Sequence, residues 1–391
     1  MTRVSLAAPT AAAATVVLFL VNGLAIGVWA ASIPGLRDRL RLDDAEVSTA
    51  LVALGACAIA GMQLGGRLAD AHGARRVCLT ALPLLMLGLA VIAAAGDYGL
   101  LLAGAALIGV GNGVLDVSMN AVAVQVERHR PKPVMSFFHA MWSVGNLAGA
   151  GTVLLAAFLV PAHAVQLAGE LTAALGLVAF AVLVRITPET QLIRHVGETG
   201  AKTPIPPWAW WLGIMAVAFG LGEGTAMDWS GIHVTDVGGV PAAQGAVAVT
   251  VVAAFMVVIR LLGDLLTDRF GRRAVVRFGG GCAAAGYFVG SFATALPVLL
   301  AGWALVGSGI GLIAPQVYAV AGHAGGGRVL AVVVTFGYAT FLVGPALIGL
   351  GVRLVGIDDV MLLPAVLLSA LPLLADVMPE AGPRAPGAAA R

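Results

Sequence analysis

The chain has 391 residues, 60% hydrophobic and 11% charged, with a mean hydropathy of +0.97; a soluble domain is about half apolar and about a quarter charged. This composition excludes a disordered protein, a coiled coil and a small disulfide scaffold, and it sets aside a soluble enzyme. The net charge of +2 comes without a long basic tail or a nucleic-acid-binding motif, so nucleic acid is not an expected partner.

A bilayer core of about 30 Å is crossed by about 20 helical residues, so a chain of this length predicts an all-α integral membrane protein of roughly twelve spans. The apolar runs place the first six at Ala12 to Ser32, Val47 to Leu68, Val77 to Ala95, Tyr98 to Val124, Val134 to Val160 and His163 to Arg185. The other six are Trp208 to His233, Ala242 to Leu266, Ala274 to Ala295, Pro297 to Val320, Val329 to Gly351 and Val360 to Val377. Barrel strands would be shorter and would alternate apolar with polar residues. The first run is too long for a secretory signal and eleven similar runs follow it, so it reads as helix 1. Cys57, Cys78 and Cys282 lie in or beside spans without metal-ligand spacing, which suggests buried thiols.

Lys and Arg collect in cytoplasmic loops. With both termini inside, 18 of the 22 basic residues fall on that side, Arg260 counted among them, and Arg37, Arg39, Arg41 and Arg353 fall outside. The apolar pattern stops over residues 186–207, where Pro188, Glu189, Gln191, Arg194, Glu198 and Lys202 cluster. This reads as a cytoplasmic linker between two six-helix bundles, 1–185 and 208–391, the second with a short cytoplasmic tail. Sliding the chain by 198 residues supports a duplication. Ala106-Leu107-Ile108-Gly109-Val110-Gly111-Asn112-Gly113 meets Ala304-Leu305-Val306-Gly307-Ser308-Gly309-Ile310-Gly311 with five of eight identities, and Asp70, Gly73 and Arg75 meet Asp268, Gly271 and Arg273.

These loops, Gly66-Arg67-Leu68-Ala69-Asp70-Ala71-His72-Gly73-Ala74-Arg75-Arg76 and Asp264-Leu265-Leu266-Thr267-Asp268-Arg269-Phe270-Gly271-Arg272-Arg273, resemble the cytoplasmic loop signature of the major facilitator superfamily. Asp116-Val117-Ser118-Met119-Asn120, Phe138-His139-Ala140-Met141-Trp142-Ser143 and Asp228-Trp229-Ser230 resemble its YbjJ-like branch, which is similar to the fucose-proton symporters. The resemblance implies two pseudo-symmetric six-helix bundles in a bacterial inner membrane and secondary active transport by alternating access. Its expected partners are the bilayer, a small solute and protons, with no cofactor and no partner subunit. The chain departs from the family at Ala71, where an arginine usually follows the loop aspartate, and at Ala105, where many proton-coupled members carry an intramembrane arginine. Gly145, Gly149 and Gly151 lack the Gly-Pro pair typical of drug-proton antiporters.

Charges within the bilayer are costly and usually face the bundle interior. Asp116 and Asn120 share one face of helix 4, and His139 lies at similar depth on helix 5, so an Asp116 to His139 pair is expected. Glu223 sits in a Gly220-Leu221-Gly222-Glu223-Gly224 run where helix 7 can bend; a desolvated glutamate there is able to cycle protons, with Asp228 nearer the interface. Asn22, Asn112, Asn120, Trp142, Gln316, Tyr318 and Tyr338 are candidates to hold the solute. The loop set Asp70, Gly73, Arg75, Arg76, Asp264, Asp268, Gly271, Arg272 and Arg273 is expected to gate the cytoplasmic face, its arginines donating to carboxylates or helix-end carbonyls. Trp208, Trp210 and Trp211 read as an interfacial belt. There is no phosphate loop, nucleophile elbow or metal-ligand spacing, which leaves secondary transport. Proton-driven efflux, and a sensor or structural protein of the same fold, remain the alternatives.

Overall fold

The structure, a computed structural model, describes residues 9–127, 129–130, 134–188 and 205–378, without a few side chains inside helices, that of Asp264 among them. Nine long helices come first: α1 (Pro9–Leu40), α2 (Asp44–His72), α3 (Ala74–Ala94), α4 (Tyr98–Glu127), α5 (Met135–Leu159), α6 (Ala164–Ile186), α7 (Pro207–Asp236), α8 (Ala246–Phe270) and α9 (Arg272–Phe292). Backbone of helical type then runs from Leu296 to Val355 and holds two spans, α10 (Leu296–Ala321) and α11 (Val332–Val355). A straight helix would part Tyr318 from Gly337 by about 28 Å, yet the Tyr318 hydroxyl lies against Gly337, so the chain doubles back between the two spans. The last span, α12 (Ile357–Val377), is not the single helix expected. It is built from short helices Ile357–Val360, Leu362–Ser369 and Leu371–Leu374 and a closing 3-10 turn, with Pro372, which lacks a backbone N–H, opening the third.

Ten of these twelve helices are long and apolar enough to cross a membrane; α7 and α9 are not among them, the first carrying Glu223 and Asp228 and the second opening on Arg272, Arg273 and Arg277. Leu155, Phe158, Val178, Leu261, Leu265 and Phe292 turn outward, as lipid contact requires, and Trp210 and Trp211 are exposed at the start of α7.

Local chemistry sets the helix ends. Asp43 accepts from the Glu46 backbone N–H at 2.8 Å while Glu46 accepts from that of Asp43 at 3.0 Å, a reciprocal cap that starts α2. Gly73 at φ +86° separates α2 from α3, and Gly271 at φ +79° separates α8 from α9; both conformations are open to glycine and costly for residues with a Cβ.

The duplication is present in the packing. Gly88 faces Ile108 and Gly104, and Gly286 faces Val306 and Gly302; Gly109 meets Leu54, and Gly307 meets Val252; Gly111 meets Leu85, and Gly309 meets Ala283. In each case both partners shift by the same 198 residues, so the two halves share one internal contact pattern. The α1 and α5 helices approach closely, since a Cβ at Gly23, Gly27, Gly145 or Gly149 would run into the other helix's backbone. Between the halves, α1 packs on α7 and α8, α2 on α11, and α5 on α8.

Candidate functional site

Glu223 stands about 24 Å along α7 and Arg260 about 21 Å along α8, which brings both to mid-depth. Arg260 Nη2 donates to Glu223 Oε1 at 3.3 Å, with the two side chains 18% and 19% exposed. Its Nη1 donates to Ser143 Oγ at 2.7 Å, and Ser143 donates in turn to the His139 carbonyl at 3.3 Å. One guanidinium thus joins α7 and α8 of the second half to α5 of the first. Arg260 belongs to this node and not to the cytoplasmic loops, which removes one residue from the basic count made above. Nor is Glu223 an unpaired carboxylate.

A second polar node closes the first half. The Trp142 indole N–H donates to Asn22 Oδ1 at 2.6 Å, and Asn22 Nδ2 donates to Asn112 Oδ1 at 2.9 Å, so α1, α4 and α5 are bonded through three side chains expected to hold solute. Asn120 donates to the Asp116 carbonyl at 2.8 Å and to its carboxylate at 3.3 Å, within a single turn. His139 packs edge-on against Phe19 with ring centroids 5.2 Å apart. Among the described residues no hydrogen bond or ion pair joins Asp116 to His139, because Asp116 turns to Asn120 while His139 turns to α1.

In the second half, Tyr318 lies edge-on to Phe219 at 5.5 Å and Tyr338 is half-buried on α11. Gln316 accepts from Arg272 Nη1 at 3.1 Å; since Arg272 opens α9, this places Gln316 near the loop face, away from mid-depth. Asp228 lines a narrow cleft between α7 and α11 with Thr225, Thr340 and Pro345.

Two of the loop arginines act as helix caps. Arg75 donates to the carbonyls of Thr187 at 2.9 Å and Val184 at 2.7 Å, closing α6. Its repeat equivalent Arg273 donates twice to the Met378 carbonyl, at 3.0 and 2.6 Å, closing α12. Arg277 adds an ion pair to Asp376. Asp70, Arg76 and Asp268 are exposed, and the Asp264 side chain lies outside the described residues. At the opposite face the halves are clasped: Arg37, at the end of α1, bridges Asp44 at 2.9 Å and Asp236 of α7 at 2.6 Å. Beside it Pro34 fills the space over Gly231 and Gly245, and Ser48 abuts Gly349.

The family model of the Major Facilitator Superfamily matches residues 15–345. The chain belongs to the major facilitator superfamily. A similar protein is the uncharacterized transporter y4wD of Sinorhizobium fredii, 34% identical over 85% of this chain and 88% of that one. The superfamily fold is shared with the nucleoside transporter NupG at a TM-score of 0.74 and 12% identity, over 93% of this chain and 99% of that one. It is shared also with the E. coli fucose:proton symporter FucP at 0.63 and 17%, over 94% and 98%. The protein is therefore a multi-pass membrane transporter of this superfamily.

Two groups were absent from the sequence-derived site. Arg260 with Ser143 is one, although an arginine six residues inside an apolar run (Ala242 to Leu266) is itself the sign of a buried charge. The clasp of Arg37, Asp44 and Asp236 is the other, and nothing in the spacing of these three residues brings them together before the fold is known.

Proposed function

We propose that the protein is a secondary active transporter that moves a small polar organic solute across the bacterial inner membrane by alternating access, with a proton carried by Glu223. The observation supporting this most directly is the node of Glu223, Arg260 and Ser143, which lies at mid-depth and spans both halves. A proton on Glu223 cancels its attraction for Arg260, the same cation that bonds to the first half through Ser143. Protonation therefore acts on a bond between the parts that must move. Asp116, His139 and Asp228 stand as secondary proton carriers, and Asn22, Asn112, Trp142, Tyr318 and Tyr338 as the residues that hold the solute. Residues 1–185 and 208–391 are the two moving bundles of a monomer. Both termini and the 186–207 linker are cytoplasmic, so that the Arg37 clasp closes the outer side.

The test begins with a solute library in a thermal-shift screen, since a ligand of the folded state raises the melting temperature. The solute found is then offered to proteoliposomes under a pH gradient. Glu223→Gln is expected to abolish gradient-driven accumulation and to spare exchange of labelled for unlabelled solute. Unchanged accumulation in that variant would remove Glu223 from the coupling, and binding without any flux would make the protein a sensor.

A further inference from the structure

The contact between Arg260 and Glu223 is a single N–H to one oxygen at 3.3 Å, not the two parallel bonds a guanidinium and a carboxylate form when they serve only each other. The other partner of Arg260 is a neutral hydroxyl, Ser143. Among the described residues His139 is also in electrostatic range of Arg260, and it is neutral or cationic and offers no counter-charge. Tyr318 and Tyr287 face Glu223, and the Asp116 carboxylate is engaged by Asn120. Once Glu223 takes a proton, none of the described side chains bonded to Arg260 carries a negative charge, a state that is costly for a cation at mid-depth away from bulk water.

We propose that the transported solute supplies the missing charge: it is an anion, held through a carboxylate by Arg260 when Glu223 is protonated. The inference rests on Glu223 being the proton carrier. A neutral polyol would leave Arg260 uncompensated, and a cationic solute would be repelled. One proton and one monoanion together carry no net charge, so uptake should be insensitive to membrane potential.

The experiment uses the purified full-length protein and paired probes: gluconate beside sorbitol, galacturonate beside galactose, and lactate beside glycerol, each at several pH values. At least one anion is expected to raise the melting temperature while its uncharged counterpart does not. Where Glu223 is ionised in the empty protein, its affinity should rise about tenfold per unit fall in pH, because one proton is taken up with each solute. Glu223→Gln should bind the anion at every pH, a gain that misfolding cannot produce. Arg260→Met should weaken binding by about tenfold to a hundredfold, and Arg260→Lys should retain part of it. Equal binding of charged and uncharged probes, indifference to Arg260→Met, or no binding of any anion at any pH would each overturn the inference. Uptake of a neutral solute under the pH gradient would overturn it while leaving the proton reading intact. Anion binding that needs Arg260 but ignores both pH and Glu223→Gln would instead keep the charge and overturn the proton reading.

Discussion

Asn22 is 1% exposed and uses both ends of its amide, accepting from Trp142 and donating to Asn112. A leucine there would leave the indole N–H and the Asn112 oxygen without partners, and each group so orphaned costs about 1 to 3 kcal/mol. Asn22→Leu is therefore expected to lower the melting temperature clearly, and Asn22→Asp, which keeps the acceptor for Trp142, to lower it less; equal melting of both with the parent protein would refute the bond chain. Asn22, Asn112, Trp142 and Glu223 were legible in the sequence because polar groups inside apolar runs stand out by their cost. Arg260 was misplaced because counting basic residues by side assigns an arginine near a span end to the loop, whereas its partners, 37 and 117 residues away, exist only in the fold. The expected pairing of Asp116 with His139 failed for a related reason: equal depth says nothing about azimuth, and each side chain turned to a different neighbour.

At the scale of helices, α1 and α5 show what the glycines do. Gly145 faces the Leu20 carbonyl so closely that a methyl group would collide with backbone, while Gly151 on the same helix has open space beside it. Gly145→Ala should thus destabilise the protein by forcing the helices apart, and Gly151→Ala should be neutral or slightly stabilising through helix propensity. Thermal unfolding of the pair decides this, and an unchanged or raised melting temperature in both would show that propensity outweighs packing. Ten of the twelve span positions were legible from hydropathy, because lipid demands a minimum apolar length. Their ends were not. The first helix continues past Ser32 through Pro34 to Leu40, since chain outside the lipid still finds partners in the clasp, and α12 is broken where one helix was expected.

For the molecule as a whole, the described bonds of Arg75, Arg273 and Arg277 stay within their own halves, whereas Arg37 joins one half to the other. Arg37→Met is expected to loosen the opposite face. A latch of about 1 to 3 kcal/mol changes populations about 5 to 150-fold, so a cysteine placed at the buried Ser48 should react correspondingly faster with a thiol reagent in that background. No acceleration would deny the latch role. Asp268→Asn, which acts on the loop face, should slow the same reaction if that loop holds the alternative state closed. The direction of insertion is checked separately: a cysteine at Gly96, where nothing lies within 4 Å, should label from outside intact cells, and one at the exposed Arg76 only after permeabilisation. The duplication was legible from an eight-residue match and a polar triplet, because glycines at helix crossings tolerate few substitutes; the clasp, having no counterpart among the described pairs of the other half, was not.

The shortfall of α7 in hydropathy has a consequence for biogenesis. Glu223 leaves the ribosome 37 residues ahead of Arg260, a delay of about 2 to 7 s at ordinary rates of synthesis. During that interval Glu223, in the middle of the helix, lacks the cation that pairs with it in the folded protein. α7 is therefore expected to enter the lipid together with α8 rather than ahead of it. Glu223, proposed above as the proton carrier, is in this way also expected to influence the order of assembly.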